Sequence, residues 1–287
     1  MHRPPDRSAA PLVSLLMPSF NAEVYLPRTL ESLMQQEFQD WELIVHDGGS
    51  TDDTLDILAT YARRSGGRIH VESASDDGQS DALNRAMLRA TGTWLGWLNS
   101  DDLLMPGALS NIATAALRDN PVAPEVIYGD WAIIDKQDAL LRAYTVNAWD
   151  WKSFFGRGSY IFSGSIFYHR NVLSEVGGWD PSLHYAMDLD LALRVGSRDC
   201  VRVDAVLSAL RWHAEAKSSN AGWRFMAEGM RVRSTYAKSP RLKWAMAKAT
   251  TVMAISTLTS RLRFGKAYSR VRPTVKDTRG KLGSARG

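Results

Sequence analysis

Very little cysteine, no long apolar run and no glycine-rich phosphate loop mark this 287-residue chain. The single cysteine, Cys200, leaves no internal disulfide to form, and no Cys/His grouping has zinc-finger spacing; both suit a reducing compartment. The first apolar run, residues 12–17, is cut short by Pro18 and follows a polar stretch over residues 1–10, too little for a signal-peptide core. The longest late uncharged stretch, residues 249–260, has 12 residues where a spanning helix needs roughly 20, so no membrane span is expected. No GxxxxGKS/T segment occurs and no GxGxxG follows the first strand-like run, which removes the usual direct cradles for phosphate. No internal repeat is visible, so a solenoid or propeller is not expected.

What remains is an ordinary globular balance, 45% apolar and 23% charged, which excludes wholesale disorder and can bury a core. The net charge of +4 conceals an asymmetry: residues 241–287 carry 12 Lys or Arg against one acid, Asp277, whereas residues 1–240 carry 23 against 30. The basic end suggests an anionic partner, lipid headgroups or nucleic acid. No nucleic-acid-binding motif accompanies it, so nucleic acid is the less favoured. Leu242, Trp244, Met246, Met253 and Leu258 interleave with cations as on a helix lying against an anionic membrane. A solvated tail or a packing helix with basic ends fits the same residues.

Strand-length apolar runs alternate with helix-period segments over the first 120 residues. Residues 12–17, 41–45, 69–72 and 94–98 read as strands apolar enough to be buried on both faces. Residues 25–36, 52–63 and 80–89 read as helices between them, with Ser50 and Asp53 as a capping signal and Gly92 as a stop. A fourth helix is expected from Pro106 to about residue 119. The alternation predicts an α/β fold with a mostly parallel central sheet and helices on both faces, whose ligands bind beyond the carboxyl ends of the strands. From residue 126 the pattern predicts a meander of shorter strands over 126–128, 131–135, 140–146 and 161–168, with helices over 188–195 and 220–236.

Each expected strand end delivers acids or small polar residues. They are Pro18-Ser19-Phe20-Asn21, His46-Asp47-Gly48-Gly49-Ser50, Ser75-Asp76-Asp77-Gly78 and Asn99-Ser100-Asp101-Asp102. Any one such loop could be turn chemistry and helix capping alone; four on one edge of one sheet point to a site. Acids repel a bare diphosphate but bind one through a divalent cation, Mn2+ or Mg2+. The pattern therefore points to a nucleoside diphosphate held through metal.

The ordered segments Leu16-Met17-Pro18-Ser19-Phe20-Asn21, His46-Asp47-Gly48-Gly49-Ser50-Thr51-Asp52-Asp53-Thr54 and Leu98-Asn99-Ser100-Asp101-Asp102 resemble the motifs of family-2 glycosyltransferases. Asp77-Gly78-Gln79-Ser80-Asp81-Ala82-Leu83-Asn84 resembles a further motif between them. Order and spacing match over residues 12–102, with weaker matches to about 218. The family has the GT-A fold and transfers a sugar, with inversion, from a nucleotide-sugar donor. The resemblance implies that Pro18, Ser19, Phe20 and Asn21 lie against the nucleoside. It implies that Asp47 hydrogen-bonds the base, commonly uracil, with Gly49 in the same loop, and that Asp76 or Asp77 lines the donor pocket. Asn99, Ser100 and Asp101 would occupy the acidic metal-binding motif, Asp101 ligating the cation and Asp102 supporting donor sugar or metal. Two departures stand out: Asn99 replaces the motif's first acid, and Gly48 stands where many members carry a second Asp.

Gly177-Gly178-Trp179-Asp180 and Met187-Asp188-Leu189-Asp190 resemble the family's acceptor region. This implies Gly178, Trp179 and Asp180 at the acceptor and Asp188 as general base, with Met187 in place of the usual partner acid. A sugar hydroxyl is a poor nucleophile until its proton is taken. Without the motif, Asp188 reads equally as a helix-start acid held charged by the helix dipole. His213, in Arg211-Trp212-His213, resembles a late element in which histidine is a third metal ligand; a phosphate hydrogen-bond donor and a structural histidine are the alternatives. His46, His169 and His184 carry no such context and read as structural. The aromatics Trp149, Trp151, Phe154, Phe155, Tyr160 and Phe162 read either as core or as a stacking surface for an acceptor sugar or lipid-linked acceptor.

The resemblance thus implies an inverting, metal-dependent glycosyltransferase, with a UDP-sugar favoured as donor and a glycan or lipid-linked sugar as acceptor. The expected organisation is a flexible N-terminus (1–11), a catalytic domain (12–239) with a nucleotide-binding half (12–125) and an acceptor half (126–239), and a basic helical extension (240–287) that can associate with a membrane. The expected setting is the cytoplasm, peripheral on the inner face of the cell membrane, in envelope polysaccharide or glycolipid assembly. A catalytically weak nucleotide-sugar binding protein, suggested by Asn99 and Met187, and a different nucleotide-sugar enzyme such as a nucleotidyltransferase are the rival readings.

Overall fold

The apolar run that begins the chain becomes β1 (Val13–Ser19), buried along all 7 residues. In this computed structural model, which describes residues 10–118, 123–213, 222–244, 246–247 and 251, β1 lies inside the sheet. It pairs in parallel with β2 (Trp41–Asp47) on one side and β4 (Trp94–Trp97) on the other, and β3 (Ile69–Ser73) pairs in parallel with β2. The crossovers are α1 (Leu26–Met34), α2 (Thr54–Arg64) and α3 (Gln79–Arg89). Successive β1 side chains serve opposite layers, as the pleat requires. Val13, Leu15 and Met17 pack with Leu26, Leu30 and Leu33 of α1 and Leu58 of α2, whereas Leu16 packs with Leu83 and Ala86 of α3. Both faces are thus covered, which is why the strand is apolar without alternation. These strand and helix limits fall within two residues of the sequence reading; α4 (Ala108–Ala116) is shorter than expected.

The second half adds strands to the same sheet, and here the meander expected from the sequence is corrected. Residues 126–134 form one strand, β6 (Val126–Ile134), instead of two. The sheet order runs β3-β2-β1-β4-β8-β6-β9-β5, where β5 is Leu103–Leu104, β8 is Ile166–His169 and β9 is Cys200–Arg211. β8 is antiparallel to both β4 and β6, and β9 runs parallel to β6. On one edge, Val126–Tyr128 pairs with β8, but Trp131–Ile134 pairs with β7 (Leu140–Tyr144). The register against β9 slips at Gly129–Trp131, so β6 changes partner where it bulges. A 3-10 turn, Ser163–Ser165, sits in this fork; the Ser165 hydroxyl reaches the Asp130 carbonyl at 3.1 Å and Ser208 Oγ at 2.6 Å.

Helices α5 (Trp151–Arg157), α6 (Arg170–Val176), α7 (Met187–Val195) and α8 (Gly222–Tyr236) belong to this second half, and the described residues 240–244, 246–247 and 251 are also helical. The aromatic cluster of the sequence reading is core: Phe154 and Phe155 are buried with Trp149, Trp151 and Tyr160 packed around them, and Phe162 alone of the six lines the cleft described below. Among the described residues no helix is long and apolar enough to cross a membrane. Residues 1–9, and all but a few residues of the basic extension, lie outside the described residues.

Candidate active site

The loops after β1, β2, β3 and β4 open onto one cleft of about 810 Å3, as expected for a parallel sheet. Pro18, Ser19 and Phe20, then Gly48, then Asp76, Gly78 and Gln79, then Asn99, Ser100, Asp101 and Asp102 form one side. The other side comes from Phe162 and Ser163, from His184, Tyr185, Met187 and Asp188, from Leu210 and Arg211, and from Phe225 of α8. Phe20 stands 63% exposed, an aromatic ring at the mouth with nothing covering it.

Three residues that the resemblance places at the nucleoside are not among those lining the cleft: Asp47 is buried, whereas Asn21 and Gly49 are exposed beside it. Asp47 is fully buried, and its carboxylate accepts from the Gly49 amide (3.1 Å), the Ser50 amide (2.9 Å) and the Ser73 hydroxyl (2.7 Å). Asn21 is held at φ 47°, where its Oδ1 accepts from the Thr51 amide at 2.9 Å and its amide donates to Ser50 Oγ at 2.8 Å. Gly49 belongs to the loop so fixed. Asn21 therefore laces the first two loops together, while Asp47 folds the second loop on itself and ties it to the end of β3. Asp77 also lies off the wall; Asp76 is the member of the pair that lines it. Gly48 makes that possible: a Cβ there would stand 2.9 Å from Asp76 Oδ2, so the missing side chain leaves room for the neighbouring carboxylate.

The Asn99 substitution is accommodated by three side-chain hydrogen bonds. Its Oδ1 accepts from Trp97 Nε1 (2.7 Å) and Gln79 Nε2 (2.9 Å), and its Nδ2 donates to Asp102 Oδ2 at 2.7 Å. Asp102 is 4% exposed and accepts from the Arg211 amide at 2.8 Å. Burial, and then the Asp101 charge beside it, push its pKa well above the usual carboxylate range, against the Asn99 and Arg211 bonds. Asp101 points the other way and meets His213, whose Nε2 lies 2.9 Å from its Oδ2 while the ring rests 4.7 Å from that of Tyr25. The Arg211 guanidinium is buried, donating to the Asp101 carbonyl at 2.8 Å, bonded to the Asp138 carboxylate and placed over the Tyr25 ring. Among the described residues lining the cleft it is the one Arg or Lys.

Asp188 opens α7 with one edge on the cleft and its back against an apolar wall of Trp97, Phe154, Tyr168 and Trp179. Burial raises its pKa; the Leu189 amide (2.7 Å), the Ser159 hydroxyl and the Arg233 charge pull the other way without cancelling it. Met187 fills the partner-acid position as an apolar neighbour, its sulfur accepting from the Ser80 hydroxyl at 2.9 Å. Gly178, Trp179 and Asp180 do not line the cleft. The Trp179 amide donates to Asn84 Oδ1 at 2.9 Å and its carbonyl accepts from Asn84 Nδ2 at 2.7 Å, so Asn84 clamps the turn. At Gly178, φ is 69° and a Cβ would stand 2.4 Å from Asn84 Oδ1, which leaves glycine as the fitting residue. Asp180 accepts from the Ser182 amide at 2.9 Å, closing the next turn.

Sequence reasoning missed Gln79, Trp97, Tyr185, Arg211 and Phe225 as cleft residues and took His184 for structural; His184 lies exposed on the cleft wall. Arg211 carried a readable signal, because Val201, Val203 and Val206 trace the strand that ends on it. No local signal marks Phe225.

A model of glycosyl transferase family 2 matches residues 14–177. The PGL/p-HBAD biosynthesis glycosyltransferase of Mycobacterium tuberculosis is 32% identical over 192 residues, which cover 65% of this chain and 70% of that protein. Among solved structures, S. aureus TarS 1–349 in complex with UDP-GlcNAc superposes with a TM-score of 0.65 at 18% identity, covering 89% of this chain and 76% of that one. The mannosyltransferase PcManGT from Pyrobaculum calidifontis, in complex with GDP-Man and Mn2+, gives 0.55 at 18% identity, covering 91% and 81%. At such identities the likeness concerns the fold, which is the GT-A fold expected from the sequence. Asp188, Arg211, His213 and Phe225 lie beyond the span that the family model matches.

Proposed function

Because this chain belongs to glycosyl transferase family 2 and is by that membership a glycosyltransferase, we propose that its cleft binds a nucleoside diphosphate sugar, a UDP-sugar by preference, and passes the sugar with inversion to a hydroxyl of a glycan or lipid-linked acceptor. One observation carries this reading. A carboxylate made more basic by burial, Asp188, shares a cleft with Asp76, Asp102 and Asp101, and the Asp101 carboxylate is paired with His213.

Phe20 offers its exposed face to the base, with Pro18 and Ser19 beside it and Asp76 across the Gly48 gap. Asp47 and Gly49 fix the loop that carries Gly48. Asp101 and His213 present an oxygen and a nitrogen 2.9 Å apart, a donor set that suits Mn2+ or Mg2+. Among the described residues no third His, Cys, Asp or Glu joins them, so the remaining positions fall to the diphosphate and water. When bound, the cation supplies positive charge to offset what develops on the departing diphosphate. Asn99 and Ser100 border the donor, and Asp102 braces the turn from beneath.

Asp188 takes the acceptor's hydroxyl proton as its oxygen bonds to the anomeric carbon. The bond from that carbon to the diphosphate oxygen breaks, its electron pair leaving with the nucleotide. Inversion is taken from the family resemblance, with the acceptor oxygen attacking the face opposite the departing diphosphate. The basic extension, residues 241–287, would hold the enzyme at an anionic membrane surface, on the cytoplasmic face; deleting it should abolish binding to anionic liposomes.

A thermal-shift panel of UDP, GDP, CMP and dTDP, each with Mn2+, Mg2+ or EDTA, on the native chain and Asp101→Asn tests the donor site. At a ligand concentration of 100 Kd the native state gains about 2.7 kcal/mol, on the order of 5–10 °C for a chain of this size. The expected result is a shift with UDP that needs both metal and Asp101. No shift with any nucleotide sinks the proposal.

A further inference from the structure

The segment between Trp179 and Asp188 forms the acceptor-side wall, yet it has little hydrogen bonding of its own. From below it is held by α3: Asn84 clamps Trp179, and the Ser80 hydroxyl donates to the Leu183 carbonyl at 2.9 Å and meets the Met187 sulfur. From the far side one side chain holds it. Glu228 of α8 accepts from three successive main-chain amides, His184 (3.0 Å), Tyr185 (2.6 Å) and Ala186 (3.1 Å), all on Oε2, with a second contact from Oε1 to His184 at 3.2 Å.

These amides lead into α7, whose N-cap residue, Ala186, has no capping side chain of its own. The first amides of a helix need partners, and a carboxylate is the favoured one because it also meets the positive end of the helix dipole. Of the three amides only that of Ala186 belongs to the unpaired start of α7; His184 and Tyr185 precede the helix, so Glu228, about 40 residues later in sequence, fixes the turn that leads into α7 and places its charge near the positive end of the helix. The capped stretch carries His184 and Tyr185 on the cleft wall and runs directly into Met187 and Asp188. Its position matters across the cleft as well, since the His184 ring lies 3.5 Å from where a Cβ would stand on Gly78.

We propose that Glu228 is a positioning residue: its carboxylate sets the acceptor wall and, through the start of α7, the orientation of Asp188. The proposal rests on the glycosyltransferase reading above for its catalytic consequence, but the clamp itself does not. Phe225 and Arg233, one helical turn before Glu228 and a little over one turn after it, reach the cleft wall and the surroundings of Asp188, so α8 is anchored to the site on both flanks of the clamp.

Glu228→Gln keeps the shape and removes the charge. Amide hydrogen exchange of the peptide covering residues 184–186, UDP binding in Mn2+, and UDP release from UDP-GlcNAc or another turned-over UDP-sugar are measured side by side on full-length protein. The variant should exchange at least tenfold faster in that peptide, bind UDP within twofold of the native chain, and release UDP at least tenfold more slowly with an unchanged donor KM. Unchanged exchange overturns the clamp. Faster exchange with native turnover overturns the positioning role. A native chain that neither binds UDP nor turns over donor defeats the glycosyltransferase reading while the exchange result still decides the clamp. Should Glu228→Gln fail to fold, Glu228→Asp, charged but one methylene shorter, is read by the same three measurements.

Discussion

On the donor side of the cleft the lining residues other than Ala82 stand at the end of a strand of the parallel sheet or within about six positions after it, so the sheet itself delivers Phe20, Gly48, Asp76 and Asp101 to one edge. On the acceptor side the lining residues depend on bonds between segments far apart in the chain: Glu228 to Tyr185 across 43 positions, Asn84 to Trp179 across 95, Ser80 to Met187 across 107. The first side is a property of strand order. The second is a property of assembly, and it exists only when α3, α7 and α8 are docked. Substitutions of Phe20 or Asp76 should therefore act on ligand contacts, whereas those of residues held by distant bonds, Asp101 with His213 across 112 positions and Asp102 with Arg211 across 109 included, act on ligand contacts and on local order together.

The largest effect that should separate the sides is the loss of the proposed base, Asp188. Asp188→Asn should lower turnover by about 10²–10⁴-fold while UDP affinity stays within twofold; residual turnover above a tenth of native would return Asp188 to the status of a helix-start acid. Next comes the donor side. Asp101→Asn and His213→Ala should each weaken UDP binding in Mn2+ at least tenfold and leave binding in EDTA unchanged, as titration calorimetry can read. Equal losses with and without metal would place both residues outside cation binding.

Smaller is a structural effect on the acceptor side. Gly178→Ala forces a side chain against Asn84 at a left-handed φ and should cost on the order of 1–3 kcal/mol, seen as a lower Tm with native UDP affinity. An unchanged Tm would show that the Asn84 clamp is loose.

The smallest is in pH. The pKa of Asp188 is raised in the fold by burial, so turnover needs its charged form and should fall as pH drops through a value above the ordinary 3.9 or so for aspartate. Stability moves the other way. A folded state that holds the proton more tightly than the unfolded chain loses stability as pH rises from the unfolded pKa through the folded one. Asp188→Asn should remove that part of the decline, visible as a Tm difference between variant and native chain that widens with pH. A difference flat in pH would mean that the carboxyl titrates as in water.

The nucleotide-side framework was legible because its signals are local. The run 12–17 is apolar on both faces, Pro18 ends it, and the strand ends are written in Asn, Asp, Gly and Ser. Legibility stopped where a residue's task depends on a distant neighbour. Asp47 and Asn21 carry a loop-fixing task the sequence does not show, since Ser50 and Ser73 donate to the Asp47 carboxylate and Thr51 to Asn21 Oδ1. The Gly178-Trp179 turn looks like a ligand loop, but Asn84 consumes its main-chain groups. His184 was passed over because nothing adjacent in sequence says that Gly78 and Glu228 bring it to the cleft. Strand β6 was broken in two by Gly129, which marks a bulge within a continuous strand. Helix α5 was missed because its aromatic content hides the Asp150 cap, whose carboxylate accepts from the Ser153 amide at 2.9 Å.

The partner change halfway along β6 has a bearing on how such a molecule can diversify. Everything between Tyr144 and Phe162 is an excursion that leaves the sheet at one prong of the fork and re-enters at the other. The register linking β6 through β8 to β4 is set by Val126–Tyr128 alone, ahead of the branch. Residues can therefore be gained or lost in that excursion without a slip reaching the strand that bears Asn99 and Asp101. A chain built this way can refit the room it offers to one substrate while its hold on the other is inherited unaltered.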